Sequence, residues 1–153
     1  MEFYEINMDT LFLKGVINAL GEVSTLIIEN DKEFGLKISP TEVIKYSCEF
    51  FGTTLEGRQK GSMNLLGIKH KVPIVVESSM ELIFFPLCSP KIRECSWVCY
   101  NNIINYKRSA SGTDIIFRNG KKITVDISYG MFENQYMRAT RLKMINTVRK
   151  LAK

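Results

Sequence analysis

The sequence changes period once, at Ser128, and that switch limits the folds open to it. Before it, "TDIIFRNGKKITVDI" (Thr113 to Ile127) alternates apolar and polar residues on both sides of Asn119-Gly120, the pattern of two paired strands joined by a tight turn. Asn-Gly tolerates the two positive φ angles of a type I′ turn, so a type I′ hairpin is expected here. After it, Phe132, Tyr136, Ala139, Leu142, Ile145, Val148 and Leu151 recur every three or four residues, behind a capping serine and with no Pro and no Gly beyond Gly130. That spacing predicts an amphipathic helix of about six turns. A chain carrying both periods in adjoining segments must pack a helix against hairpins, so the expected class is α+β: an antiparallel, hairpin-built β-sheet, a short helix and a long amphipathic C-terminal helix.

The short helix is expected from Pro40 to Phe51. Ser39 supplies a cap, Pro40 suits the first helical position, and Gly52 follows as a stop. Ahead of it, "FYEINM", "TLFLKGVI", "VSTLIIE" and "EFGLKI" read as strands broken by Gly15, Gly21 and "ENDKE". Beyond Gly61, "MNLLGIK", "PIVVE" and "ELIFFP" read as further extended segments, the last two joined at Ser78-Ser79-Met80; "SWVCY" and "NIINYKR" follow. At 153 residues and 45% apolar composition, residues 1–153 are expected to form a single domain. No apolar run reaches the ~20 residues of a spanning helix, and the acidic start "MEFYEINMDT" lacks the character of a secretory signal, so a cytoplasmic protein is expected, with no membrane partner.

Catalytic chemistry finds few footholds. "GTTLEGRQ" (Gly52 to Gln59) has the glycine spacing of a phosphate-cradling loop, but Arg58 stands where lysine is needed, Gln59 where a hydroxyl is needed, and the preceding segment reads as a helix rather than a strand. Cys48, Cys88, Cys95 and Cys99 form no CxxC pair, and His70 is the one imidazole, so free buried thiols are expected rather than a zinc site. His70 is flanked by Lys69 and Lys71, which disfavour the imidazolium of a Cys48/His70 dyad. No catalytic residue, metal or cofactor is assigned.

Charge is the informative quantity. Residues 1–56 hold four Lys/Arg against ten Asp/Glu, whereas residues 57–153 hold seventeen against six. Such segregation suits a basic surface facing a polyanion, although each basic segment alone could be a solvated surface. The cations cluster in short segments: "GRQKG", "KHK", "KIR", "YKR", "RNGKK" and "RATR". The polar side of the C-terminal helix adds Arg138, Arg141, Lys143, Arg149, Lys150 and Lys153 against Glu133. DNA or RNA is the leading ligand, DNA first, because no paired aromatic motif of sheet-based RNA binders is present.

At "SCEFFGTTLEGRQKG" (Ser47 to Gly61), "KHKVPIVV" through "LIFFP" (Lys69 to Pro86), "ECSW" (Glu94 to Trp97) and "FRNGKKITVDISYGMFENQYMR" (Phe117 to Arg138), the sequence resembles the ComK family of competence transcription factors. The matching blocks span roughly Glu29 to Lys143. The resemblance implies an activator of DNA-uptake genes that binds paired A-tract/T-tract boxes largely through the minor groove, as a homodimer or higher homo-oligomer. It also implies an adaptor-protease partner, acting partly on a tail that family members often carry beyond the point where this sequence stops. Stiff, narrow, electronegative A-tracts suit recognition by Arg and Lys with few base contacts. The residues expected at double-stranded DNA are Arg58, Lys60, Lys69, His70, Lys71, Arg118, Asn119, Lys121, Asn134, Arg138 and Arg141, with Gln135 beside Asn134 as a further reader of base acceptors. Gly52 to Gly61 is expected to be a turn presenting Arg58 and Lys60, anchored by Phe50-Phe51. The alternative is a related module that no longer binds DNA and pairs with a full-length relative or an acidic protein.

Overall fold

The computed structural model describes residues 4–152. The chain runs β1 (Thr10–Ile17), β2 (Val23–Glu29), β3 (Glu33–Leu36), α1 (Pro40–Phe50), α2 (Leu55–Leu66), β4 (Ile74–Glu77), β5 (Leu82–Pro86) and β6 (Trp97–Cys99). A 3-10 turn (Tyr100–Asn102), β7 (Ile103–Ser109), β8 (Gly112–Phe117), β9 (Lys122–Val125) and α3 (Tyr129–Leu151) complete it. One sheet has the order β3-β2-β1-β6-β5-β4 and a second the order β7-β8-β9, with every pairing antiparallel. The α+β class is as the sequence indicates, with two sheets in place of one and a third helix.

The six-stranded sheet is the middle layer. Strand alternation sends Leu13, Ile27, Phe84 and Trp97 to one face, where they pack with Ile44 and Cys48 of α1. It sends Phe12, Ile28, Phe85 and Val98 to the other, against Phe117 of the small sheet and Phe132 and Leu142 of α3. Covered on both sides, β5 is buried at all five positions, as its unbroken apolar sequence requires. Leu55 belongs to the first cluster and Leu66 to the second, so α2 passes along the β4 edge from one face to the other and shields it.

The helix boundaries follow local chemistry. Ser39 and Glu42 form a capping box, with Ser39 Oγ accepting from the Glu42 N–H at 3.2 Å, and Gly52 (φ 84°) follows the end of α1. Ser128 Oγ accepts from the Met131 N–H at 3.2 Å and starts α3. The apolar stripe of α3 is buried at Phe132, Ala139 and Leu142, but Val148 is 65% and Leu151 81% exposed, so the helix outruns the core. Lys153 lies outside the described residues.

Three local expectations are corrected. Gly52 to Gly61 is not a turn: its second half opens α2, which also takes in Met63 to Leu66 of the "MNLLGIK" segment. Thr54 Oγ1 accepts from the Gly57 N–H at 3.0 Å, Leu55, Ser62 and Leu66 form a buried stripe, and Gly67 (φ 68°) closes the helix by donating to Met63 O at 2.8 Å. Caps and burial together override the roughly 1 kcal/mol that each of Gly57 and Gly61 costs a helix. The β8–β9 turn is not type I′ either, because Gly120 alone has positive φ (85°). Gly120 N–H donates to Phe117 O and Phe117 N–H to Lys121 O, both at 2.9 Å, which makes a three-residue loop with a left-handed glycine at its end. Finally, residues 4–8 of "FYEINM" are not a strand, and Phe3 lies outside the described residues. Asn7 Oδ1 accepts from the Asp9 N–H at 2.8 Å, a side-chain turn that pre-empts ladder pairing.

Candidate nucleic-acid interface

Three α3 residues spaced three apart fasten the loop that joins α2 to β4. Gln135, only 3% exposed, donates through Nε2 to Lys71 O and Pro86 O, both at 2.9 Å. Arg138 donates through Nη1 to His70 O at 3.0 Å and to Gln135 Oε1 at 3.1 Å. Arg141 donates through Nη1 to Leu66 O at 3.3 Å, one of the carbonyls that the end of α2 leaves without a helical partner. Held this way, Lys71 adopts a left-handed backbone (φ 52°) that a non-glycine residue takes only when its surroundings impose it.

The fastening brings Lys69, His70, Lys71, Arg138 and Arg141 together. Lys69 and His70 are exposed and Lys71 is partly so. Asn134 is exposed one turn before Arg138, and at positions i, i+4 and i+7 Asn134, Arg138 and Arg141 share a side of the helix. Among the described residues the ion pairs are Lys32–Glu29 (3.7 Å), Lys121–Glu33 (3.4 Å) and Lys122–Asp114 (3.9 Å). None of them neutralises a cation of the loop or of α3, so this side keeps its positive field.

The other expected residues stand apart. Arg58 and Lys60 are on α2, Lys60 exposed and about 9 Å along the helix axis from Leu66 at 1.5 Å per residue. Arg58 is partly buried, with its Nε unpartnered and its charge near the Cys48 thiol. Arg118 donates through Nε to Asn101 O at 2.9 Å, and Asn119 through Nδ2 to Asn30 O at 2.8 Å. With Lys121 on Glu33, the tip of the β8–β9 hairpin is docked on the β2–β3 turn.

The described residues hold no group of three or more His, Cys, Asp or Glu arranged for a metal, and no helix long and apolar enough to cross a membrane. Cys48 is buried in the first core cluster, and burial pushes its thiol up to about 11, whereas His70 lies exposed in its loop. No dyad forms between them.

A family model described as ComK protein matches residues 1–150. The chain belongs to the ComK family. It is 34% identical over 145 residues to the competence transcription factor of Bacillus subtilis (strain 168), across 94% of this chain and 74% of that protein. No solved structure matches it. The ComK match takes in residues 1–28, which the sequence blocks quoted above do not reach.

Within this ComK-family chain, sequence reasoning missed the fastening itself. Gln135, expected to read bases, is buried and holds the loop instead, because both amide protons go to main-chain carbonyls. A glutamine at an apolar position of the helical period, next in phase with Phe132 and Ala139, was the available signal.

Proposed function

We propose that the protein is a transcription regulator that binds A/T-rich duplex DNA through the surface formed by α3 and the loop from Gly67 to Pro73. The observation that carries this reading is the convergence of Lys69, His70, Lys71, Arg138 and Arg141 with no carboxylate paired to any of them among the described residues. The name of the B. subtilis relative, a competence transcription factor, supports the same role here and points to genes of DNA uptake as targets.

Lys69 and Arg141 neutralise phosphates or enter the minor groove of an A-tract, where narrowing deepens the negative potential. Asn134, exposed beside Arg138, is placed to accept or donate at base edges. Lys60 extends the surface along α2, and the bare helix positions Gly57 and Gly61 let a sugar-phosphate strand pass close by. Arg118, Asn119 and Lys121 are anchored on the chain itself and serve this surface less directly. Paired boxes call for two copies of the chain, so the bound form is a homodimer or a larger homo-oligomer.

Mobility-shift competition tests the reading. An A-tract duplex should displace labelled target DNA at roughly tenfold lower concentration than a G·C-rich duplex of equal length, a margin of the order of one mismatched position. Equal and weak displacement by both would remove the DNA reading and leave the protein-interaction module.

A further inference from the structure

Cys88 and Cys95 close the two ends of the β5–β6 connection, and nothing in the DNA reading uses them. The β5–β6 register pairs Phe84 with Cys99, Phe85 with Val98 and Pro86 with Trp97, and Leu87 N–H then donates to Ser96 O at 2.9 Å. One step further in the same register, Cys88 stands opposite Cys95. Cys88 and Cys95 lie just past the end of this ladder; with Leu87 and Ser96 bonded across it, the next pair in register would be of the non-bonded kind, whose usual Cα spacing of about 4.5 Å falls inside the span of about 4.4 to 6.8 Å that a disulfide bridges.

Side-chain placement agrees. Both thiols point to the first core cluster, Cys95 within it and Cys88 packed against it. The Cys95 thiol lies 3.3 Å from Cys88 O, and burial, followed by the Cys88 thiol beside it, pushes Cys95 up to about 12. The frame around them is fixed: Gly15 N–H donates to Ser96 Oγ at 2.9 Å, and Cys95 N–H to Ile92 O at 3.1 Å. Gly15 has no side chain to displace the Glu94 carbonyl that rests on it. Cys48 and Cys99 differ in kind, each buried with no neighbouring thiol among the described residues.

We propose that Cys88 and Cys95 are a peroxide-oxidisable pair that forms a reversible disulfide across the base of the loop bearing Lys91 and Arg93. Cys88, the partly exposed member, reacts first. Its sulfur takes one oxygen of hydrogen peroxide as the O–O bond breaks, giving a sulfenic acid, and the other oxygen leaves as water with the thiol proton. The Cys95 sulfur then attacks the Cys88 sulfur; the S–S bond forms as the S–O bond breaks, and the oxygen leaves as a second water with the Cys95 proton. Two thiols lose two electrons in all, and one peroxide becomes two waters.

The test is intact mass and peptide mapping of the folded full chain after hydrogen peroxide. The wild type should lose about 2 Da, map to a Cys88–Cys95 crosslink, and regain its mass with dithiothreitol. Cys48→Ala/Cys99→Ala, which puts no hydroxyl into the core, should behave the same way, and Cys88→Ser should show no loss. Cys88→Ser decides, since its site is partly exposed, whereas Cys95→Ser would bury a hydroxyl. Oxygen additions at Cys88 without the 2 Da loss in the wild type, or a loss that survives Cys88→Ser, would overturn the proposal.

Discussion

Two regions of this molecule carry cations, and they treat them in opposite ways. At the β8–β9 hairpin, Lys121 meets Glu33, Lys122 meets Asp114, and Asn119 bonds the β2–β3 turn, so the charge is absorbed into packing. At the α2–β4 loop, the guanidinium groups of Arg138 and Arg141 bond main-chain carbonyls instead of carboxylates. Carbonyl contacts position an arginine without cancelling its charge. A count of basic residues therefore overstates the surface left positively charged, and what separates structural from available charge is whether the fold brings an acid within reach.

The largest effect is expected at Gln135. Gln135→Ala leaves Lys71 O and Pro86 O without their donor and should cost about 3 kcal/mol in denaturant unfolding, at the usual range for each buried group left unsatisfied. It should also weaken DNA binding, because the loop loses its register. If stability falls and affinity does not, the loop is not part of the interface. Next comes Lys69→Ala/Arg141→Ala, expected to lower affinity by roughly 10- to 100-fold and to flatten the dependence of log K on log salt by roughly 1.8, for two phosphate contacts. An unchanged salt slope in filter binding would erase the contrast between the two regions.

Smaller effects sharpen it. Gly61→Ala, on α2 with nothing within 4 Å of the added methyl, should raise stability by about 0.5–1 kcal/mol in thermal melts. If a DNA strand runs against that face, the same change lowers affinity, and the opposite signs separate the two contributions. Lys121→Ala should be nearly silent. Its partly exposed pair with Glu33 is worth at most about 0.5 kcal/mol, and its removal should leave the mobility shift within about twofold, the scale of an exposed pair.

Much of the fold was legible because its signals are local. β1 and β2 are rich in β-branched and aromatic residues bounded by glycine and polar breaks, α1 announces its capping box, and the Ser128 boundary of α3 marks where the period changes. The site was legible in part. Lys69, His70, Lys71, Arg138 and Arg141 are all in the expected set and do come together, but Asn119 and Lys121 from the same set are docked on the acidic β2–β3 turn, and Arg118 is held on Asn101 O. Gly57 and Gly61 suggested a turn because glycine reads as punctuation, whereas burial of Leu55 and Leu66 against two separate clusters holds that stretch in a helix.

By itself the sequence determined which segments are helices or strands wherever one period and its caps sufficed, and it placed the excess positive charge after residue 56. Only the tertiary structure decided which of those charges stay free. Residues 66–71 and 135–141 meet through hydrogen bonds spanning more than sixty positions. Such contacts depend on where the sheet layers place each segment, and neighbours along the chain carry no record of that placement.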